Sequence, residues 1–161
     1  MARNLIVDNT TYVYPDPGED PGWGESASDW AEAVTDVLAS LLSSGDILET
    51  TFNVANNISS PTNVTGLAFN TGTVRSAVIT YSIYRVSSTT TSGKAETGTL
   101  YIVYDNSASS GNKFLLTQEA TGNSGVTFDI TDAGQFTYIS TDIGATSYSG
   151  TMRFTAKALG Q

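Results

Sequence analysis

Hydrophobic positions along the chain repeat with two different periods, and the change falls near residue 46. Trp30, Ala33, Val34, Val37, Leu38, Leu41 and Leu42 recur at i, i+3, i+4, i+7, i+8, i+11 and i+12, which draws one apolar stripe along roughly four helical turns. Ser26 or Ser28 can accept the N-cap hydrogen bond, and Asp29 and Glu32 place negative charge near the positive end of the helix dipole. Ser43, Ser44 and Gly45 close the segment, with Gly45 suited to the left-handed position after a helix. The pattern predicts an amphipathic helix over 26–45.

Beyond Asp46 the period is two. The segments 47–54, 64–69, 74–86, 98–104, 113–119, 126–130, 135–139 and 146–158 are rich in Val, Ile, Thr, Tyr and Phe and are bounded by Gly, Asn, Asp or Ser, as strands are. In 74–86, Ala77, Ile79, Tyr81 and Ile83 share one face, with Arg75 and Arg85 at the ends. Val78, Tyr84 and Val86 lie on the other face with Ser76, Thr80 and Ser82. Apolar residues on both faces predict a central strand. Strands at this spacing without intervening helices predict a mainly β fold, with an antiparallel sandwich or jelly-roll-like body over 46–161. Ahead of the helix, 4–8 and 11–14 read as two short extended pieces around an Asn9-Thr10 turn. Pro15, Pro17 and Pro21, with Gly18, Gly22 and Gly24, then forbid regular structure, so residues 1–25 are expected to form an acidic arm.

Charge follows the same division. Residues 1–50 hold ten carboxylates and Arg3 alone, which accounts for the whole net charge of −9, while six acids balance six bases from residue 51 onward. One part of the chain is built as a tether and the other as a neutral β domain. With no basic cluster, nucleic acid is not an expected partner. No run of residues approaches a membrane span, and the helix carries Asp29, Glu32 and Asp36 where an interfacial helix carries Lys or Arg, so neither is a membrane. Residues 5–7 are too short for a signal-peptide core, and the chain is expected to be made in a cytoplasm.

Candidate chemistry is sparse. The chain has no Cys and no His, which removes thiolate nucleophiles, the commonest general base and the commonest metal ligands. Asp105, Glu119, Asp129, Asp132 and Asp142 are the carboxylates that a glycoside hydrolase pair could draw on, but they lie in or beside loops, where acids bond the backbone. No GxSxG elbow, phosphate-cradling loop or HExxH is present, and no catalytic residue, cofactor or metal is expected. Asp16, Glu19 and Asp20 offer either oxygen ligands for a divalent cation or a solvated acidic loop, and the loop is favoured because their spacing does not reproduce a calcium hand. The sequons at Asn57 and Asn63 are expected by chance in a chain this rich in Asn, Ser and Thr.

The remaining candidates are surfaces. The helix stripe, with Trp30, Val34, Val37, Leu38 and Leu41, has two possible seats: the β body, or identical helices of neighbouring subunits through an a/d seam of about two heptads. Trp23, an aromatic beside glycines, is suited to anchor the arm in a pocket of another protein. The loops around Thr90 and Ser109 are polar hairpin tips where a receptor or sugar could be contacted.

Three stretches together resemble parts of tailed-bacteriophage virion proteins: residues 16–24 leading into Trp30 and the helix; residues 63–69 followed by Arg75 and residues 81–85; and residues 125–130. Such arm, helix and β-domain arrangements occur among tail-fibre, adhesion and capsid-decoration proteins. The resemblance implies a structural, non-catalytic virion component, often trimeric, whose partners are its own copies and the major capsid protein or another virion protein. A chain without a shaft repeat or second large domain fits a capsid decoration (cement) protein. The alternatives are a short tail-fibre or receptor-binding protein, for which a host glycan becomes a partner, and a free carbohydrate-binding module.

Overall fold

The computed structural model describes residues 3–7, 10–14, 23–43, 45–89 and 93–160. The chain divides into two compact units, residues 1–43 and 44–161. In the first, β1 (Arg3–Val7) and β2 (Thr10–Tyr14) pair as an antiparallel hairpin with Leu5 opposite Tyr12, and α1 (Trp23–Ser43) runs alongside it. The first part of the expected arm is therefore a hairpin; Asp16, Glu19 and Asp20 lie outside the described residues. The helix starts at Trp23 rather than at Ser26 or Ser28. Glu25 then lies in the first turn, where the helix dipole favours negative charge, and both serines fall inside the helix.

The second unit contains eight described strands: β3 (Ile47–Asn53), β4 (Ile58–Ala68), β5 (Val74–Val86), β6 (Lys94–Tyr104), β7 (Phe114–Gly122), β8 (Val126–Ile130), β9 (Gln135–Ser140) and β10 (Ser149–Gly160). They form a five-stranded sheet, ordered β3-β10-β5-β6-β7, and a three-stranded sheet, ordered β4-β9-β8, with every pair antiparallel. The five-and-three division makes it a β-sandwich. Edge-on ring contacts cross between the sheets, Tyr81 to Phe128 and Phe52 to Tyr138, each with centroids 5.4 Å apart.

β5 occupies the centre of the larger sheet, as its two-faced pattern predicts. Ala77, Ile79, Tyr81 and Ile83 point into the core with Leu100, Ile102, Met152 and Phe154. The opposite face is not buried: Val78 and Tyr84 are exposed. β4 is longer than its apolar run because it begins with Ser59, Ser60 and Pro61, weak strand formers that an edge strand tolerates.

Candidate functional site

The body has two distinct ends. At one, the chain enters through Asp46, whose carboxylate accepts hydrogen bonds from the Ala158 amide (2.8 Å) and from Lys157 Nζ (2.6 Å), clamping the start of β3 to the end of β10. The β4–β5, β6–β7 and β8–β9 connections lie at this end. At the opposite end are the β3–β4, β5–β6, β7–β8 and β9–β10 connections.

The far end is braced by one buried cation that the sequence reading left unassigned. Arg85, 0 % exposed, lies in the inward phase of β5 after Ile83. Its Nε donates to Tyr148 Oη (3.0 Å), Nη1 to the Ser124 carbonyl (2.7 Å), and Nη2 to both Asn56 Oδ1 (3.0 Å) and the Thr141 carbonyl (2.6 Å). A single guanidinium thereby ties together the β3–β4, β7–β8 and β9–β10 connections. The β5–β6 connection joins them through Ser87 Oγ, which donates to the Ile143 carbonyl (2.7 Å), and the Ser88 amide, which donates to the Thr146 carbonyl (2.9 Å). The inward phase of residues 77, 79, 81 and 83 continues to 85, and that phase is the signal that marks Arg85 as buried.

A buried carboxylate balances it. Glu96 Oε1 accepts hydrogen bonds from Tyr81 Oη (2.6 Å) and Gln118 Nε2 (3.0 Å), and Oε2 accepts them from the Ser124 amide (2.8 Å) and hydroxyl (2.9 Å). Ser124 thus donates to Glu96 and accepts from Arg85, linking two buried opposite charges through one fully buried residue. Burial, and next the hydrogen bond to Glu96, push the Tyr81 phenol well above its ordinary range. Among the described residues no buried side-chain polar atom lacks a partner, as a polar network inside a core requires.

Of the two candidate loop residues, one is described. Thr90 lies outside the described residues; its loop joins β5 to β6 at the far end. Ser109 is exposed in the β6–β7 loop, at the same end of the body as the point where the chain enters but across the sheet from it. The Ser109 loop is held from below: Asp132, in the β8–β9 turn, accepts from the amides of Gly111 (2.6 Å) and Lys113 (3.1 Å) and from Ser110 Oγ (3.2 Å). Those amides hold the Asp132 carboxyl below the usual carboxylate range.

The other candidate carboxylates are similarly occupied. Asp105 accepts from the hydroxyl and amide of Ser107, Asp129 from the amide of Ile130, and Asp142 from the amide of Gly144 and from Asn56 Nδ2. Glu119 is exposed and accepts a 3.4 Å hydrogen bond from Tyr101 Oη. Among the described residues no group of three His, Cys, Asp or Glu is placed to hold a metal ion, and no helix is long and apolar enough to cross a membrane.

In the first unit, Trp30, Val34 and Val37 are half-buried, whereas Leu38 is 54 % exposed. Trp23, expected in the arm, is the first residue of α1; the side chains of Trp23 and Leu41 lie outside what the structure describes.

No protein-family profile matches the chain, and no curated protein sequence is significantly similar to it. Among solved structures it is similar to part of the Acinetobacter phage vB_ApiP_P1 tailspike protein, with a TM-score of 0.43 and 10 % identity over 71 % of this chain and 22 % of that one. It is also similar to part of tailspike gp49 from Acinetobacter baumannii bacteriophage Fri1, a capsular polysaccharide depolymerase, with a TM-score of 0.40 and 15 % identity over 70 % of this chain and 18 % of that one. The chain spans about a fifth of the length of these tailspikes.

Proposed function

We propose that this chain is a non-catalytic virion protein of a tailed bacteriophage, mounted through residues 1–43 and displaying the β-sandwich toward the host surface as a short tail-associated attachment protein. The observation that carries this reading is the polarity of the body. The chain enters at one end, and four connections at the other end are locked by Arg85 and Ser87 into one braced cluster. Recognition loops on a rigid scaffold lose little entropy on binding, and bracing of this kind supplies that rigidity. The resemblance of residues 16–24, 63–69 and 125–130 to phage virion proteins supports the setting. Capsid decoration rests on the arm-and-knob layout and the lack of a shaft repeat or second large domain, and a cement protein has no need of a braced end opposite the point where the chain enters the body.

In this reading the β5–β6 connection, which contains Thr90, faces the host, and Ser109, at the end of the body where the chain enters, does not. The acidic first unit docks on another virion protein, with Trp23 as an anchor and with charge setting orientation and encounter rate. The chain is a trimer in which the α1 stripe contributes contacts between subunits. The test is copy number in purified virions, by quantitative mass spectrometry, together with adsorption competition. A few tens of copies or fewer, and soluble protein that blocks adsorption to host cells, are expected. Hundreds of copies and no competition would return the protein to the head lattice.

A further inference from the structure

The outward face of the five-stranded sheet carries a groove that the tethered-display reading leaves unused. Successive cross-strand rows on this face follow from the register. Leu159, Ser76, Val103 and Leu115 form one row; Lys157, Val78, Tyr101 and Thr117 the next; then Thr155, Thr80, Thr99 and Glu119; then Arg153, Ser82, Thr97 and Thr121. Tyr84 stands one row further on, opposite Thr151. Two shallow, open depressions of about 410 and 230 Å³ lie over the third and fourth rows. They share Thr80 and Thr97 and together run from Glu49 on β3 to Thr121 on β7. The groove therefore crosses all five strands, about 19 Å at ~4.8 Å per strand gap.

Its chemistry is specific. The floor is hydroxyl-bearing, with Thr80, Ser82, Thr97 and Thr99. Charge is limited to Glu119 on one side and the Arg153–Glu49 ion pair, at 3.5 Å, on the other. Exposed tyrosines stand on either side of the trough, Tyr101 with its hydroxyl on Glu119, and Tyr84, 55 % exposed. A nucleic acid needs a concentration of cations that this face lacks, and an amphipathic helix needs an apolar floor rather than hydroxyls. A carbohydrate fits both parts: its hydroxyls pair with threonine, carboxylate and guanidinium groups, and its C–H faces lie against tyrosine rings. We propose that this groove binds an oligosaccharide segment of a few sugar units lying across the strands. The sugars would be those of a bacterial surface polysaccharide, so the partner class rests on the attachment reading above. Because every lining residue of the floor sits on a strand, the site is preformed.

The experiment uses the full-length protein on an array of bacterial capsular and O-antigen oligosaccharides, with hits titrated by isothermal calorimetry. Thr80→Trp, which fills the trough, should abolish binding, and Tyr101→Ala should weaken it at least tenfold. Ser109→Ala, at the tether end, should leave it unchanged. Circular dichroism and the urea midpoint establish that each variant is folded, and Thr99→Val, which removes one hydroxyl at nearly constant shape, provides a second, conservative probe expected to weaken binding severalfold. Failure of every arrayed glycan to bind, or binding that Thr80→Trp and Tyr101→Ala leave intact, overturns the groove. The two proposals fail separately. Soluble groove variants that still block adsorption defeat the groove and leave the attachment reading standing; groove-dependent glycan binding by a protein present in hundreds of copies per virion does the reverse.

Discussion

Replacing Arg85 by Met should be among the most destabilising single substitutions available in the body. The variant keeps an unbranched side chain of similar reach but removes the donors to Ser124, Thr141, Asn56 and Tyr148, and it leaves Glu96 buried without its compensating cation. Four charge-assisted bonds at about 1.5–3 kcal/mol each overstate the loss, because the wild-type protein already bears the cost of dehydrating a guanidinium. Breaking a buried ion pair by removing one partner typically costs about 3–5 kcal/mol; Arg85 and Glu96 are linked through Ser124 rather than in direct contact, so the lower end of that range is the expected value here. With a urea m-value of about 1–3 kcal/mol/M, the midpoint should fall by on the order of 2 M. Both tryptophans lie in residues 1–43 and six of the eight tyrosines in the body, so tyrosine signals and far-UV circular dichroism follow the sandwich while tryptophan emission follows the first unit. Arg85→Lys should recover part of the loss, since an ammonium keeps the charge but not the planar fork. The double variant Arg85→Met/Glu96→Leu should be at least about 1 kcal/mol more stable than additivity predicts. A midpoint shift under about 0.5 M for Arg85→Met, or a strictly additive double variant, would refute the argument.

Three other outcomes follow. The Asp132 carboxyl is held below its ordinary value of 3.8, so its bonds to Gly111 and Lys113 are fully made above that pH and are lost as pH falls through the lowered value; amide hydrogen exchange at Gly111 and Lys113, corrected for intrinsic rates, should accelerate below about pH 4, and Asp132→Asn should remove the pH dependence. Gly125→Ala, at φ +71° where an added Cβ would collide with Thr141 Oγ1 and crowd Arg85 Nη1, should cost about 1–3 kcal/mol in urea titration, whereas Gly111→Ala, with open space around it, should cost only the strain of its positive φ. For the proposed trimer, multi-angle light scattering should give a trimeric mass that Leu38→Asp reduces to a monomer without moving the body's urea midpoint; a monomeric wild type would remove the trimer, and an unchanged variant mass would remove α1 from the subunit contact.

The sandwich is legible in the sequence because its strands alternate strongly. Period and bounding turn residues locate every described body strand, although Lys94–Thr97, Ala120–Gly122 and Ile58–Asn63 escape notice where polar or weak strand formers extend a strand past its apolar run. The helix stripe is legible for the same reason. Its start is not, since dipole complementarity and serine capping compete over the same few residues. The Arg85–Ser124–Glu96 network was missed for a different reason. Phase along β5 and β6 marks both charges as inward, but Ser124 lies 39 residues from Arg85 and 28 from Glu96, and only the folded register brings them together. The groove is hidden likewise: threonines that look like ordinary solvent-facing strand positions become one surface only when five strands are laid in order.

The clamp at Asp46 also decides how the body bears load. A pull applied between the far-end loops and the point where the chain enters runs along the axis of β3 rather than across it. β3 is paired with β10 from Ile47 opposite Ala156 to Asn53 opposite Thr151, so the force shears these inter-strand hydrogen bonds together rather than peeling them one at a time. Asp46, fastened to Lys157 and the Ala158 amide, stands at the first point of that load path. A body stressed between the point where the chain enters and its far-end loops is therefore held in the direction in which a sheet yields least.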